Sequence, residues 1–265
     1  MGGSHLAKEF GHGMTATKVA LITGSGKQRV GWHVAEALGA RGYALAIHYR
    51  TSQQETEETI AEFRSRGWTA KAFQADLADE AAVKQLIAGV LAQFGRLDAL
   101  VHTAAIWQPK KLEDVTAADV RHYLEVNTLA TFLCCQQAGL AMVKQPEGGS
   151  IVTFGDWATI RPYLNYAAYF PSKGAIPALT RTFAVELAQR NPRVRVNCIE
   201  PGPVMLPADL PEAERAAAIA GTLVKREGTP QHVAQAVVHF LENDFLTGVC
   251  LPVDGGRSVY ASSAD

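Results

Sequence analysis

The sequence predicts an α/β fold: one domain built on a doubly wound parallel sheet with helices on both faces. Three observations predict it. Short apolar runs of strand length alternate with longer amphipathic segments along almost the whole chain. Those runs are near-continuously apolar, as strands are when both faces are covered. The first two are joined through a glycine-rich turn and a helix-like stretch. A chain of 265 residues suits one large domain, and its 48% hydrophobic content is enough for a sizeable core. No internal repeat, linker or low-complexity segment divides it.

Taken in order, residues 18–23 (Lys-Val-Ala-Leu-Ile-Thr) read as the first strand, running into Gly24, Gly26 and Gly31. A helix follows with Val34, Ala35 and Leu38 inward, ending at Gly42, and residues 43–49 form the second strand. Residues 53–66 read as a helix, 69–77 as a strand ending at Asp76 and Leu77, 80–94 as a helix and 97–105 as a strand. One long helix is expected over 116–144, then a strand over 150–154. The helix carrying Tyr169 runs to about Arg190, followed by a strand over 193–199, a helix over 231–241 and a last strand over 249–253. Pro171 fits a helix that begins near Tyr169, whereas Pro177 is expected to kink it. Residues 205–226 carry few strand signals and one helix-like piece, 213–220, and read as a mobile flap over a substrate.

Strand, glycine turn, helix and strand within about 30 residues is the dinucleotide-binding unit of a Rossmann-like sheet. Gly24, Gly26 and Gly31 let backbone approach a pyrophosphate, and the helix N-terminus at Val30 offers unpaired N–H groups. Arg29 lies within this loop, where it meets cofactor phosphate or substrate oxygen, or else is a solvated loop charge. The second strand ends in His48-Tyr49-Arg50-Thr51-Ser52, with no acid before Glu55. An acid there would hold the ribose hydroxyls of NADH, whereas Arg50 can fork onto a 2′-phosphate with Thr51 and Ser52 as donors. The cofactor expected is NADPH/NADP+.

Tyr169 and Lys173 are four residues apart, so a helix places them on one face. An ammonium beside a phenol favours the phenolate, which makes Tyr169 a candidate proton donor with its pKa lowered by Lys173. The spacing alone occurs often by chance.

The ordered set Thr23-Gly24, Asp76-Leu77, Asn127, Tyr169-x-x-x-Lys173, Pro201-Gly202 and Asp254-Gly255-Gly256 resembles the short-chain dehydrogenase/reductase family over residues 18–260. The chain departs from that pattern in three places. Asp156 stands thirteen residues before the Tyr, where the family has Ser. His102-Thr103-Ala104-Ala105 replaces the usual Asn-Asn-Ala-Gly. Arg29 stands in a glycine loop that is one residue longer than usual. Asp156, Arg29, the segment 48–52 and Trp107 after the fourth strand together resemble the pteridine reductase and dihydromonapterin reductase branch.

That resemblance implies a catalytic set of Asn127, Asp156, Tyr169 and Lys173. Lys173 would contact the nicotinamide ribose, Asn127 would bend its helix and hold a water, and Asp76 and Leu77 would lie by the adenine. Ala104, Pro201, Gly202 and Val204 would border the cofactor. Arg29, Trp107, Asp156 and Tyr169 would hold a flat heterocycle. A carboxylate repels a developing alkoxide, so Asp156 points away from ketone chemistry and towards C=N reduction. The expected activity is NADPH-dependent reduction of a pterin or dihydropterin. A carbonyl reductase of 3-oxoacyl or other ketones, and a catalytically silent NADPH-binding regulatory protein, are the alternatives. Trp107 could equally pack under its loop, and Asp156 could be a protonated surrogate for Ser or the mark of an inactive enzyme.

A net charge of −1 gives no electrostatic case for nucleic acid or an anionic membrane. No uninterrupted apolar run approaches the roughly 20 residues of a membrane span. Cys134, Cys135, Cys198 and Cys250 lack Cys-x-x-Cys spacing, no metal set is seen, and buried thiols in a reducing cytoplasm are expected. Residues 1–13 have no apolar h-region and read as a disordered leader, leaving 14–265 as the domain. The resemblance also implies a homotetramer.

Overall fold

Seven parallel strands form the sheet of the computed structural model, in the order β3-β2-β1-β4-β5-β6-β7, over described residues 17–260. The expected leader lies outside those residues. The strands are β1 (Val19–Thr23), β2 (Ala44–Tyr49), β3 (Ala70–Gln74), β4 (Ala99–His102), β5 (Gly149–Phe154), β6 (Val194–Pro201) and β7 (Cys250–Val253). The helices are α1 (Val30–Gly39), α2 (Gln53–Ser65), α3 (Glu80–Phe94), α4 (Ala117–Tyr123), α5 (Ala130–Val143), α6 (Tyr169–Ala188), α7 (Glu212–Ala220) and α8 (Pro230–Glu242).

The continuous apolar runs are explained by a core on each face. On β1, Val19 and Leu21 pack with Leu86, Val90, Leu133, Met142 and Leu187 from α3, α5 and α6. Ala20 and Ile22 point the other way, into Trp32, Leu38, Phe63, Val237 and Phe240 from α1, α2 and α8. Alternate residues face opposite sides, so a strand buried on both reads as unbroken apolar sequence. Strand order reverses between β1 and β4, which pair Thr23 with His102. A parallel sheet opens a ligand crevice at such a point, beyond the carboxyl ends of its strands.

Three expectations change. The strand predicted over 97–105 ends at His102, so Thr103, Ala104 and Ala105 become crevice loop. The single helix predicted over 116–144 is interrupted by a π-helical turn at Leu124–Leu129. The rod Ala117–Val143 is long enough to cross a membrane, and an 18-residue window within it reaches a mean hydropathy of 1.3. Half of that window is nonetheless buried inside the protein, and the core accounts for Leu133, Cys134, Cys135, Ala138 and Met142. Pro177 lies within α6, and the helix runs on to Ala188. Its missing N–H leaves the Lys173 carbonyl without the donor an α-helix would supply. Pro171 sits in the first turn, where no internal N–H partner is required.

Candidate active site

A groove of about 420 Å³ follows the carboxyl ends of β1, β2, β3 and β4. Its walls include Gly24, Gly26, Arg29, Val30, Gly31, Tyr49, Arg50, Thr51, Ser52, Asp76, Leu77 and Ala104, all expected from sequence. Close backbone approach explains the glycines. Gly24 has φ +64°, and a Cβ there would stand 3.0 Å from the Ala104 Cα. A Cβ on Gly31 would meet Thr103 Oγ1 at 2.5 Å. The first turn of α1 leaves N–H groups at Val30 and Gly31 that no helix can pair internally. Exposed Arg29 and Arg50 line the same groove, and Asp76 is its one acidic lining residue among the described residues. This donor set fits the phosphates of a dinucleotide.

His48, also expected from sequence, lines the groove as well. It is buried, with Nδ1 accepting from Gly24 N–H at 3.1 Å and Nε2 3.1 Å from the Ala75 carbonyl. A ring nitrogen that accepts from an amide leaves the other to carry the proton, so Nε2 donates to Ala75. Burial holds the ring neutral, with its pKa lowered to about 4. His48 therefore ties the glycine turn to the residue after β3 and lines the groove without offering charge to a phosphate.

At the end of β5, Asp156 and Tyr169 meet. The Tyr169 hydroxyl donates to Asp156 Oδ2 at 2.6 Å, and Asp156 Oδ1 accepts from Ala158 N–H at 2.8 Å, capping the short turn Trp157–Thr159. Lys173, buried on the same face of α6, donates from Nζ to the Phe154 carbonyl at 2.8 Å. These contacts overturn the expectation of an easily ionised phenol. Burial, then the Asp156 charge, push Tyr169 well above its ordinary pKa. Burial also raises Asp156 and lowers Lys173. The Asp156 carboxylate is hydrogen-bonded to the phenol, whereas the Lys173 ammonium is bonded to a backbone carbonyl.

Asn127 sits in the π-helical turn and is buried. Its amide donates to the Ile106 carbonyl at 3.1 Å and to Ser172 Oγ at 3.0 Å, and its oxygen accepts from Ile106 N–H at 2.9 Å. It thereby pins the loop after β4 to α6, one residue from Lys173. Sequence reasoning passed over Ser172, although its place beside Lys173 was a signal. His102 was noticed only as a departure. It is fully buried, its Nδ1 lies 3.2 Å from Thr23 Oγ1, and burial lowers its pKa to about 3. Thr23 Oγ1 also accepts from Ala104 N–H, and His102 Nε2 has no hydrogen-bond partner among the described residues.

Trp107, expected to stack on a ligand, is instead stacked on Tyr166, with centroids 5.1 Å apart and planes 13° off parallel. It is 42% exposed, so part of the side chain remains open. Tyr166 and Tyr123 both set ring edges against Tyr169, at 6.0 and 6.1 Å. These tyrosines were missed, although Tyr166 lies three residues before Tyr169. Pro201 ends β6, Gly202 follows it, and Val204 is buried against a second cavity of about 350 Å³ beside Asp254–Gly256. None of the three lines the nucleotide groove. In the segment 205–226, α7 is held by Arg215, which pairs with Glu227 at 2.7 Å, and Met205 reaches the groove.

The fold and this site define a nucleotide-binding α/β reductase. The profile of a family described as enoyl-(acyl carrier protein) reductase matches residues 25–258. The short-chain reductase protein NovJ of Streptomyces niveus is 35% identical over 250 residues, covering 90% of this chain and 93% of that one. A 3-oxoacyl-[acyl-carrier-protein] reductase of Synechocystis sp. is 32% identical, with 93% and 100% covered. The crystal structure of a dehydrogenase/reductase from Sinorhizobium meliloti superposes with TM-score 0.83 at 32% identity, covering 92% of this chain and 96% of that one. The chain belongs to the short-chain dehydrogenase/reductase family and is an oxidoreductase of that type.

Proposed function

We propose that this reductase uses NADPH to reduce a C=N bond in a flat nitrogen heterocycle of the pterin or dihydropterin class. The observation that carries the reading is the 2.6 Å hydrogen bond from Tyr169 to Asp156. A phenol whose proton points at a carboxylate is badly placed to stabilise an alkoxide, and the carboxylate opposes that charge. Nitrogen is different, because it must end the reaction carrying a proton.

Bound NADPH would supply a hydride to the ring carbon. The chain's own residues handle the proton. Burial raises the Asp156 pKa, which makes it easier for the carboxylate to take up a proton from water. Asp156 can then pass that proton to the Tyr169 oxygen as Tyr169 gives its own to the substrate nitrogen. The pair then ends as carboxylate and phenol, and no phenolate forms, in keeping with the raised Tyr169. Lys173, fixed by the Phe154 carbonyl, would orient the ribose, and its charge stabilises the Asp156 carboxylate left behind. The exposed part of Trp107 and the Arg29 guanidinium would hold the ring. Arg50, Thr51 and Ser52 on the groove wall, with no acid between Tyr49 and Glu55 in the sequence, support NADPH over NADH.

The test is NADPH oxidation with dihydrobiopterin, dihydromonapterin and dihydrofolate beside a panel of ketones and 3-oxoacyl thioesters. Turnover of a dihydropterin supports the proposal; turnover of the carbonyls alone overturns it. Carbonyl reduction is the second reading, favoured by relatives described as 3-oxoacyl-[acyl-carrier-protein] reductases. NADPH binding without turnover of any of these would favour a silent regulatory role. A homotetramer is also proposed. Leu129, Phe132, Leu140 and Val185 leave exposed apolar surface on and beside α5 and α6 that subunit packing would cover. Light scattering at the monomer mass would remove that part.

A further inference from the structure

Away from the nucleotide groove, β6 and β7 bring two thiols together. Cys198 and Cys250 are register partners on these parallel strands, so both side chains leave the sheet on the same face. Neighbouring strands lie about 4.8 Å apart. That is within the roughly 4.4–6.8 Å between Cα atoms that a disulfide spans. The two thiols shift each other's ionisation, raising Cys198 and lowering Cys250.

Their surroundings divide the roles. Cys198 is fully buried, with Sγ also 3.4 Å from the Ile199 carbonyl. Cys250 is partly exposed, and the Nη1 of Arg181 stands 3.8 Å from its sulfur. Burial and Glu200 oppose ionisation of Cys250, yet the neighbouring Cys198 and the Arg181 charge leave its pKa below the ordinary value. Cys134 and Cys135 are buried in the core, where burial raises both. A thiol that solvent can reach, with its ionisation favoured, beside a second thiol that solvent cannot, has the arrangement of an attacking and a resolving cysteine.

We infer that Cys250 and Cys198 form a hydroperoxide-reactive dithiol that closes reversibly into an intrachain disulfide. The Cys250 thiolate attacks the terminal peroxide oxygen and the O–O bond breaks. The sulfur is oxidised to sulfenic acid, and the hydroperoxide is reduced to alcohol, or water, with a proton from solvent. The Cys198 sulfur then attacks the sulfenic sulfur. An S–S bond forms, the S–O bond breaks, and the departing hydroxide leaves as water with the Cys198 proton. An external dithiol reverses the change. The bond would form directly behind the site, since a Cβ on Gly155, next to Asp156, would lie 3.3 Å from Cys198 Sγ.

The experiment treats the reduced full-length protein with a small excess of hydrogen peroxide and maps a non-reduced digest by mass spectrometry. A peptide joining Cys198 to Cys250, lighter by two hydrogens and restored by dithiothreitol, is expected. Iodoacetamide at neutral pH should label Cys250 roughly tenfold faster than Cys134 or Cys135. In Cys198→Ala, dimedone should trap a sulfenic acid at Cys250; if that variant does not fold, the wild-type map and labelling rates decide. A Cys250–Cys250 link between two chains, earlier oxidation of Cys134 or Cys135, or no linkage at peroxide levels that oxidise glutathione overturns the inference.

Discussion

Replacing Asp156 by Ser tests the proposed chemistry most directly, because Ser preserves one of the two contacts Asp156 makes. A Ser side chain can still cap the turn by accepting from Ala158 N–H, now 2.8 Å from Oδ1. It cannot span to the Tyr169 hydroxyl, which lies 2.6 Å from the farther carboxyl oxygen. The variant should therefore fold normally while Tyr169 loses its acceptor and its source of a second proton. Removing a positioned general acid costs about a hundred- to ten-thousandfold in rate. At about 1.36 kcal/mol per decade, that is roughly 3–5 kcal/mol of transition-state stabilisation. The assay is kcat for NADPH-dependent dihydropterin reduction, run beside a ketone panel and a thermal melt. Dihydropterin turnover should fall, ketone turnover should rise because hydroxyl donors now face the oxygen, and the melt should not fall. Undiminished dihydropterin turnover, in an enzyme that Tyr169→Phe does inactivate, would reduce Asp156 to a turn cap and refute the reasoning.

Tyr169→Phe should lower kcat by about a hundredfold or more while NADPH affinity, measured by fluorescence titration, stays within about twofold. Arg50→Ala should weaken NADPH binding by roughly tenfold or more and leave NADH nearly unchanged, since only the 2′-phosphate is lost; equal loss for both cofactors would remove Arg50 from phosphate recognition. Asp156 should also leave a mark on pH dependence. Its folded pKa lies above the ordinary 3.8, so the folded state holds the proton more tightly and stability falls as pH rises from about 3.8 through the raised value. Asp156→Asn should flatten that part of a Tm-against-pH curve, and wild-type kcat should decline as pH passes above the same raised value. Gly202→Ala would drive a Cβ to 2.5 Å from the Asp254 Cα, a backbone atom that cannot rotate away. A loss of about 1–3 kcal/mol in urea unfolding is expected.

What could be read from sequence, and what could not, follows from the range of the interactions involved. The strands were legible because burial on both faces writes an unbroken apolar run, as in Val19–Thr23 and Gly149–Phe154. The groove was legible because close backbone approach demands glycine at Gly24 and Gly31, and because Arg50 to Ser52 adjoin a strand end. Side-chain direction was not. His48 alternates inward on β2, and nothing in its neighbours announces the Gly24 amide it accepts from, twenty-four residues earlier. The spacing of Tyr169 and Lys173 placed both on α6 correctly but could not weigh the carboxylate of Asp156 against the ammonium, so the direction of the phenol's shift came out reversed. Trp107 and Tyr166 meet across two loops, a contact that no periodicity encodes.

The π-helical turn at Leu124–Leu129 holds more residues per revolution than the α-helix on either side, so it stores one surplus residue in the chain between Thr116 and Lys144. Excising a single position from that turn would let the rod wind as ordinary α-helix. Everything before the cut would then rotate by about 100° relative to α5. Tyr123 would swing off Tyr169, and Asn127 would leave the Ile106 clasp. A one-residue deletion here should therefore disable the enzyme while making its longest helix more regular.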